Sequence, residues 1–503
     1  MGPYRRPHPL TVRRLMRPGP LAVLALVVLG LALRLWVMTS DLGVLDADGA
    51  VPGLMALHIL DGAHPVFYWG QAYGGSIESF LAAALFAVLP DDPFVLKLVP
   101  VALSGVATVL VWRIGLRLLG ARAAVLGGLL FWLAPVSFMW WTTKIGTYWA
   151  ALCLALAAVL LVLRLTDRER WPWWEVAGLG LLVGLGWWAN PQTVYLLAPV
   201  ALANIRSFLA QWRHLPLLAA GVLVGAAPWL VYNVGHDWAS LSIEANTTVP
   251  NGYFDHLRAF FRVALPMALW LREPFTLEWV LGPVGKVAYL ALLVGFVVAA
   301  VRWRQARLLV VMAAAFPFLF AISPLSYYVE HPRYLLFVFP TICLLAGGAL
   351  AAHRVLAASG VAVVAALSLV GTLSFPAPYV WPQAPTARVP ADSGPLLALL
   401  RQRQVRYAYA HYWIAYRITF EAGERTIVAP VGGTVREPNQ VELVRRQPAP
   451  AFIFIDRSPE LRAFLAGVRS RQVPARVDHR GGWALVRPVA AVLPEEVPAA
   501  FPS

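Results

Sequence analysis

Apolar runs long enough to cross a membrane recur along this chain from residue 20 to residue 375. A helix that spans the hydrocarbon core of a bilayer needs about 20 mostly apolar residues. Eleven segments meet or approach this length, and we predict that each is a membrane-spanning helix. They are 20–39, 94–115, 124–141, 148–164, 174–189, 191–205, 215–233, 283–301, 308–326, 333–352 and 355–375. The chain is therefore predicted to be a polytopic membrane protein.

The composition excludes the soluble and disordered classes. Of the 503 residues, 59% are hydrophobic and 13% are charged, whereas about one quarter of the residues in an average soluble protein are charged. A chain of this composition cannot cover a globular surface with polar groups. The two cysteines, Cys153 and Cys343, both fall in apolar runs. They do not indicate a disulfide framework.

The basic residues indicate how the spans are oriented. A net charge of +15 would point to nucleic acid in a soluble chain. Here the arginines gather at the ends of alternate spans, as the positive-inside rule describes. We therefore predict a cytoplasmic N-terminus over residues 1–19 and no nucleic-acid partner. Because eleven is an odd number, the chain after the last span is predicted to lie outside.

The composition changes after the last span. Residues 376–390 are rich in proline and are predicted to be a linker. Residues 391–503 contain no spanning run, and strand-like and helix-like segments alternate in them. One helix-like segment has aromatic residues at helical spacing, namely Tyr412, Tyr416 and Phe420. The predicted fold class is an all-α polytopic membrane domain followed by a small extracytoplasmic α/β domain.

The chemistry-bearing residues gather in the first outside loop, residues 40–93. No acidic residue falls in the interior of a proposed span, which counts against an ion-coupled transporter. The loop contains Asp41, Asp46, Asp48, Asp61, Glu78, Asp91 and Asp92. Helix-like spacing over 49–60 and an apolar run over 77–89 predict two helices that lie along the membrane surface. A loop of this length with its own helices is typical of a functional segment.

Asp46 and Asp48 are the acidic pair closest to the first span. On an extended backbone, side chains two residues apart point the same way. The two carboxylates could then share a divalent metal, or one could act as a base while the other modulates it. Metal use stays open at this point. The simpler alternative is that both are solvated or cap the following helix, with Asp48 as the N-cap.

At this point the sequence resembles a known family. Residues 45–90 are similar to the first external loop of GT-C-fold glycosyltransferases, and more narrowly of the bacterial relatives of protein O-mannosyltransferases and aminoarabinose transferases. Those enzymes place an acidic motif after the first span and follow it with two interfacial helices. Residues 184–199 resemble the family's short hairpin. The run from His331 through Arg333 and Tyr334 resembles its late Arg-Tyr motif.

The resemblance implies specific roles and two departures. The family's catalytic acid falls on Asp48, and the next position, commonly Glu in relatives, is Gly49 here. Asp46 is the candidate companion acid. The Lys-Pro-Pro that often precedes the second interfacial helix is missing, and residues 74–78 occupy its place.

A sugar would pass from a polyprenyl-phosphate donor to an acceptor glycan, lipid or protein at the outer membrane face. Asp48 would act as general base, and single displacement would invert the anomeric centre. The leaving phosphate needs positive groups, for which Arg333 and Lys144 are the candidates. The candidates for shaping the sugar pocket are Gln71, Tyr73, Glu78 and Tyr334.

Three alternatives remain at the sequence level. A flippase of lipid-linked sugars would share the basic span ends but would not need an acid-rich loop. A non-catalytic scaffold would use the external α/β domain to bind a partner, and would tolerate loss of Asp48. A ligase would move whole glycans from a pyrophosphate-linked donor. The α/β domain is expected to cover the mouth of the active site and to help select the acceptor.

Overall fold

A computed structural model describes residues 19–242, 252–273, 276–302, 306–323, 332–375, 380–381 and 384–501. His331 of the late motif and the predicted cytoplasmic N-terminus up to residue 18 lie outside the described residues. The α-helices that precede the α/β domain are α1 Pro20–Thr39, α2 Ala47–Leu60, α3 Ile77–Phe86, α4 Pro93–Leu118, α5 Ala121–Trp132, α6 Val136–Trp141, α7 Tyr148–Thr166, α8 Trp173–Ala189, α9 Val194–Ala203, α10 Ile205–Ala210, α11 Leu215–Gly225, α12 Ala227–Val234, α13 Tyr253–Ala259, α14 Leu265–Ala268, α15 Gly282–Arg302, α16 Arg307–Ile322, α17 Phe339–Ala351 and α18 Arg354–Ser374.

These helices follow the predicted apolar segments closely, but the number of spans is not confirmed. Among the described helices α1, α4, α7 and α18 are long and apolar enough to cross a membrane. A fifth span arises if Trp212–Gly225 and Ala227–Val234, bent by 66° at their junction, are taken together. The predicted span 124–141 is divided into α5 and α6 before Pro135, a residue that cannot donate a backbone hydrogen bond. Most of the other apolar helices are shorter, among them α5, α16 and α17.

Arg34 shows how the membrane part accommodates a buried charge. The residue lies in α1 and is 1% exposed. Its guanidinium donates to the carbonyl oxygens of Gly30 at 2.8 Å and Trp132 at 3.0 Å and to Ser104 Oγ at 3.3 Å. The guanidinium carbon also lies 3.7 Å from the centre of the Trp132 ring. Arg34 therefore joins α1 to α4 and α5, since a buried cation must be satisfied by its neighbours.

The first loop contains the two predicted helices, α2 and α3. The N-cap of α2 is Asp46 and not Asp48, because the Gly49 backbone N–H donates to Asp46 Oδ1 at 2.6 Å. The chain then passes through a turn region before α3 begins at Ile77. Glu78, in the first turn of α3, accepts hydrogen bonds from the start of α7. The loop is thus a packed layer that ties α1 to α7.

The C-terminal part is a sheet covered by helices, as predicted. Its strands are β3 Tyr407–His411, β4 Ile427–Val431, β5 Ala451–Ile455, β6 Ala475–Arg480 and β7 Trp483–Pro488, and its helices are α19 Gly394–Gln402, α20 Tyr412–Glu421, α21 Pro438–Arg445 and α22 Pro459–Ser470. Two short strands, β1 Val380–Trp381 and β2 Ala384–Arg388, pair in the predicted linker. The sheet order is β4-β3-β5-β7-β6. The three strands β4, β3 and β5 run parallel, and β7 and β6 are antiparallel to their neighbours.

The α/β domain packs on the first loop through α20. The aromatic stripe of α20 lies in one buried cluster with Val51, Leu54 and other apolar residues of α2. Tyr412 is 5% exposed, Tyr416 is fully buried, and Phe420 is 1% exposed. The helical spacing noticed in the sequence is therefore the contact surface between the two parts of the chain.

Candidate active site

Asp48 lies where the first loop meets the α/β domain. It occupies the first turn of α2, and its side chain is 34% exposed. The Tyr412 hydroxyl donates to Asp48 Oδ1 at 2.5 Å, and Arg436 Nη2 donates to the same oxygen at 3.1 Å. Among the described residues, no hydrogen-bond donor reaches Asp48 Oδ2. One oxygen of the carboxylate is therefore held by the C-terminal domain, and the other is open.

Arg436 is the centre of a wider hydrogen-bond network. Its Nε donates to the Tyr412 hydroxyl at 3.0 Å, and its Nη1 donates to Gln71 Oε1 at 3.0 Å. The guanidinium carbon lies 5.0 Å from the centre of the Tyr68 ring, within the range of a cation–π interaction. Tyr68 in turn donates from its hydroxyl to the Asp48 carbonyl oxygen at 2.6 Å. The network fixes the loop, the helix and the domain against one another.

The loop between β4 and α21 carries Arg436 to this point. Gly432 and Gly433 both have positive φ values, 72° and 68°, a conformation that glycine adopts readily. A Cβ on Gly433 would lie 2.8 Å from the Tyr412 ring. The Tyr416 hydroxyl then accepts the backbone N–H of Arg436 at 2.6 Å. The loop can therefore fold back over α20 and place the guanidinium beside Asp48.

Asp46 faces a different partner. Its Oδ2 forms an ion pair with Lys144 Nζ at 2.9 Å, and the two side chains are 14% and 7% exposed. The Lys144 ammonium also lies 4.7 Å from the centre of the Trp140 ring. Asp46 thus combines the helix cap with an ion pair that joins the first loop to the segment between α6 and α7.

The donor set does not fit a metal ion shared by Asp46 and Asp48. Both oxygens of Asp46 accept protein hydrogen bonds, from Gly49 and from Lys144. Asp48 Oδ1 is taken by Tyr412 and Arg436. Two cations next to the carboxylates would also repel a divalent ion. Within the part of the chain that the structure describes, no group of three or more His, Cys, Asp or Glu side chains could hold a metal.

Glu78, predicted for the sugar pocket, lies fully buried beneath the site. Its Oε2 accepts the backbone N–H of Gly146 at 2.8 Å, and its Oε1 accepts those of Trp149 and Ala150 at 2.9 and 3.0 Å. Burial raises the pKa of Glu78, and the three backbone donors partly oppose that rise. These contacts give Glu78 the role of a cap for the N-terminus of α7, where backbone N–H groups need acceptors.

Arg333, Tyr334 and Tyr73 lie on the other side of the site. Arg333 and Tyr334 belong to a short 3₁₀ segment, Pro332–Leu335, ahead of α17. The Arg333 guanidinium lies 5.4 Å from the centre of the Trp141 ring and 4.9 Å from that of Tyr334. Its Nε is buried and has no hydrogen-bond partner among the described residues. Burial raises the pKa of Tyr73, and Arg436 and Arg333 oppose this, so Tyr73 lies within electrostatic range of both cations.

A cavity beside Tyr73 adjoins this group, and a second cavity shares one wall with the first. One, of about 250 Å³, is lined by Tyr73, Ser240 and several large rings, among them Trp187, Trp188 and Trp229. The other, of about 420 Å³, is lined only by apolar side chains and by Trp188, from α3, α4, α7 and α8. Trp188 borders both cavities. An amphipathic molecule could therefore place a polar part near Tyr73 and an apolar part among the helices.

Comparison with known proteins decides the fold. ArnT from Cupriavidus metallidurans, solved bound to undecaprenyl phosphate, is 15% identical and superposes with a TM-score of 0.63 over 93% of this chain and 98% of that chain. The chain has the GT-C fold. The archaeal oligosaccharyltransferase AglB from Archaeoglobus fulgidus, solved with an inhibitory peptide and a dolichol-phosphate, is 11% identical, with a TM-score of 0.48 over 95% of this chain and 77% of that chain.

A family match supports the same assignment. Residues 77–232 match the family described as dolichyl-phosphate-mannose-protein mannosyltransferase. No curated protein matches the chain by sequence. The family match and the shared fold confirm the resemblance to membrane glycosyltransferases of the GT-C fold that the sequence predicted. The all-α membrane part and the small C-terminal sheet domain are confirmed with it.

Within this GT-C fold, the structure brings together Asp48, Gln71 and Tyr73, and it places Arg333 with Tyr334 across the site. Asp46 with Lys144, and Glu78, instead form supporting contacts beside them. Two residues of the network were missed by the sequence analysis, namely Tyr412 and Arg436. Tyr412 was noticed only as part of a helical stripe. Its hydroxyl on an otherwise apolar face was the available signal, because a buried Tyr O–H usually finds a partner.

Proposed function

We propose that this chain is an integral membrane glycosyltransferase that moves a sugar from a polyprenyl-phosphate donor to an acceptor at the extracytoplasmic face. Asp48 is the general base. The observation that carries the proposal is the position of Asp48, which has one held and one open carboxylate oxygen. The carboxylate also lies within electrostatic range of Arg333 and Tyr73. The arginine distribution supports a cytoplasmic N-terminus and an external α/β domain.

The chemical step is a single displacement. The acceptor hydroxyl oxygen bonds to the anomeric carbon while the bond from that carbon to the donor phosphate oxygen breaks, and the bonding pair leaves with the phosphate. The hydroxyl proton passes to Asp48. A positioned base of this kind contributes about 10²–10⁴-fold in rate. Attack opposite the leaving group inverts the anomeric configuration, and the sugar is a hexose or a pentose.

Arg333 binds the donor phosphate. A guanidinium whose buried Nε has no hydrogen-bond partner in the described part of the chain is suited to an anion, since a phosphate accepts two parallel hydrogen bonds from it. The charge on the phosphate grows as the bond to the sugar breaks, so the cation stabilises the transition state more than the ground state. Lys144 is engaged by Asp46, and we assign it to the support of this region.

The two cavities support a lipid-linked donor. The apolar cavity of about 420 Å³ suits part of a polyprenyl chain, because burial of hydrocarbon surface in an apolar cavity is favourable. The neighbouring cavity beside Tyr73 offers aromatic faces and a hydroxyl to a sugar ring. The solved ArnT, which shares the fold, was bound to undecaprenyl phosphate. The donor phosphate then lies beside the cavity at Tyr73, within reach of Arg333.

The experiment compares purified wild type with Asp48→Asn. Native mass spectrometry looks for a co-purifying polyprenyl-phosphate sugar, and a transfer assay supplies that lipid with candidate acceptors. We expect Asp48→Asn to keep the lipid and lose transfer by at least 10²-fold. Asp91→Asn is the matched control, since Asp91 is an exposed acid of the same loop. Wild-type transfer by Asp48→Asn would contradict the proposal, and lipid-sugar movement without transfer in the wild type would favour a flippase.

A further inference from the structure

The C-terminal domain holds one oxygen of the Asp48 carboxylate. Both donors that reach Oδ1, the Tyr412 hydroxyl and Arg436 Nη2, come from this domain, more than 360 residues along the chain. Arg436 also donates to the Tyr412 hydroxyl, so the three groups form a closed triangle. A carboxylate fixed at one oxygen by two donors has a defined plane and a defined orientation for its second oxygen.

Tyr412 and Arg436 both stay protonated in this partly buried site. Burial, followed by the negative charge of Asp48, raises the pKa of Tyr412 well above its ordinary value. The phenol therefore stays protonated and can only donate to the carboxylate. Burial acts to lower the pKa of Arg436, but the neighbouring phenols and carboxylate outweigh it and raise the pKa. Neither donor therefore loses its proton near neutral pH.

Contacts with the backbone fix the position of the segment that contains Arg436. Tyr416, one turn after Tyr412 on α20, is fully buried and accepts the backbone N–H groups of Arg436 and Glu437 at 2.6 and 3.3 Å. Gly70 of the first loop lies against the same segment, where a Cβ would be 2.7 Å from the Arg436 Cα. Backbone contacts on both sides therefore set the position of the guanidinium.

We propose that Tyr412 and Arg436 are positioning residues, which hold Asp48 Oδ1 so that Oδ2 faces the acceptor hydroxyl. The α/β domain then contributes residues to the catalytic centre, in addition to any role in covering the active site or selecting the acceptor. This inference rests on the proposed function, because it assumes that Asp48 is the base. Precise placement matters for such a group, since a shift of about 1 Å can cost about 10²-fold in rate.

The test measures kcat and KM, for donor and acceptor, in Tyr412→Phe, Arg436→Ala and Arg436→Lys. We expect kcat to fall about 10-fold in Tyr412→Phe and about 10²-fold in Arg436→Ala, with the donor KM unchanged. Added guanidinium ion should restore part of the kcat of Arg436→Ala. Arg436→Lys should stay low, because an ammonium cannot reproduce the fork of donors to Asp48 and Gln71.

Glu424→Gln is the matched control for a merely structural role. Glu424 forms another contact between the two parts of the chain, a 2.9 Å pair with His58, and we expect its loss to leave kcat near the wild-type value. Tyr412→Phe preserves the shape of the ring, so it reports on the hydroxyl even if the arginine variants fold poorly. An equal fall in kcat for Glu424→Gln and Tyr412→Phe would overturn the inference.

The remaining outcomes separate this inference from the proposed function. Wild-type kcat in Tyr412→Phe and Arg436→Ala, with Asp48→Asn inactive, would overturn the positioning role and leave Asp48 as the base. A raised donor KM with unchanged kcat in Arg436→Ala would also overturn it, since Arg436 would then bind the donor. Full activity in Asp48→Asn would overturn the proposed function and this inference together.

Discussion

Phe420 of the α/β domain lies directly against Gly53 of the first loop. A Cβ built on Gly53 would stand 2.7 Å from one carbon of the Phe420 ring, closer than real side chains approach. Gly53 lies inside α2, and Phe420 is 1% exposed in the cluster shared by α2 and α20. The absence of a side chain at this one position allows the two helices to come close enough for Tyr412 to reach Asp48.

Gly53→Ala should therefore reduce both stability and turnover. Alanine favours a helix over glycine by about 1 kcal/mol, but overpacking of a buried contact costs about 1–3 kcal/mol. Because Phe420 and Tyr412 share α20, displacement of the ring also moves the hydroxyl away from the carboxylate. Thermal unfolding in detergent and kcat measure the two effects. Gly178→Ala, where a Cβ meets nothing within 4 Å, should be neutral or stabilising, and equal effects of the two variants would refute the prediction.

Lys144→Met should destabilise the protein by about 3–5 kcal/mol, the usual cost of breaking a buried ion pair by removing one partner. It leaves Asp46, 14% exposed, without its ion-pair partner at 2.9 Å. Denaturant titration followed by tryptophan fluorescence is the measurement. Glu442→Gln removes an exposed pair with Arg446 and should cost about 0–1 kcal/mol. A raised donor KM in Lys144→Met with unchanged stability would instead support direct phosphate binding by Lys144.

Glu78→Ala should cost more than the loss of an ordinary helix cap. It removes the acceptor of three backbone N–H groups at the start of α7, and each buried donor left without a partner costs about 1–3 kcal/mol. Glu78→Gln keeps one acceptor oxygen and should cost less. Asp92→Ala, which removes the N-cap of α4, gives a reference near 1 kcal/mol. A Glu78→Ala variant as stable as Asp92→Ala would show that the three bonds contribute little.

The contact between His58 and Glu424 should weaken as the pH rises. The hydrogen bond to Glu424 raises the pKa of His58 above 6.5, burial opposes the rise, and Asp61 and Glu437 add to it. A histidine whose folded-state pKa is raised contributes stability that is fully present below the unfolded pKa of about 6.5 and is lost as the pH passes the folded value. The α/β domain should thus be held less firmly at pH 8 than at pH 6.

Hydrogen exchange of α20 at the two pH values, corrected for intrinsic rates, measures this effect. Glu424→Gln should remove most of the difference, because it removes the main cause of the raised pKa of His58. The same pH dependence in the wild type and in Glu424→Gln would show that another group is responsible.

The sequence predicted the parts of the fold that depend on local pattern. Apolar length placed the helices of the membrane part, and helical spacing placed α2, α3 and α20 close to their observed bounds. The pattern could not show which hydrophobic runs continue as one straight helix. Prolines divide some of them, as at Pro135 between α5 and α6, and the division depends on packing partners far away in the chain.

The sequence predicted the residues of the candidate site that lie in the membrane part and its first loop, but not those of the α/β domain. Asp48, Gln71, Tyr73 and Arg333 came from one resemblance and from the order of motifs. Arg436 carries no local signal, because it lies in a short loop with no periodicity, and its contact with Asp48 spans 388 residues of sequence. The simpler alternative for the acidic pair made Asp48 the N-cap candidate of α2, whereas Asp46 is the N-cap. Both acids precede the same helix, so composition and spacing alone could not distinguish them.

The division of the site between residues 48 and 436 has a consequence for biosynthesis. The ribosome releases the first loop early and the α/β domain only after the membrane helices that precede it. A nascent or prematurely terminated chain that ends before Tyr412 can insert into the membrane and present Asp48, but it lacks the groups that hold the carboxylate. Turnover would then stay slow until the chain extends past Arg436, so chains that end earlier would consume little donor lipid.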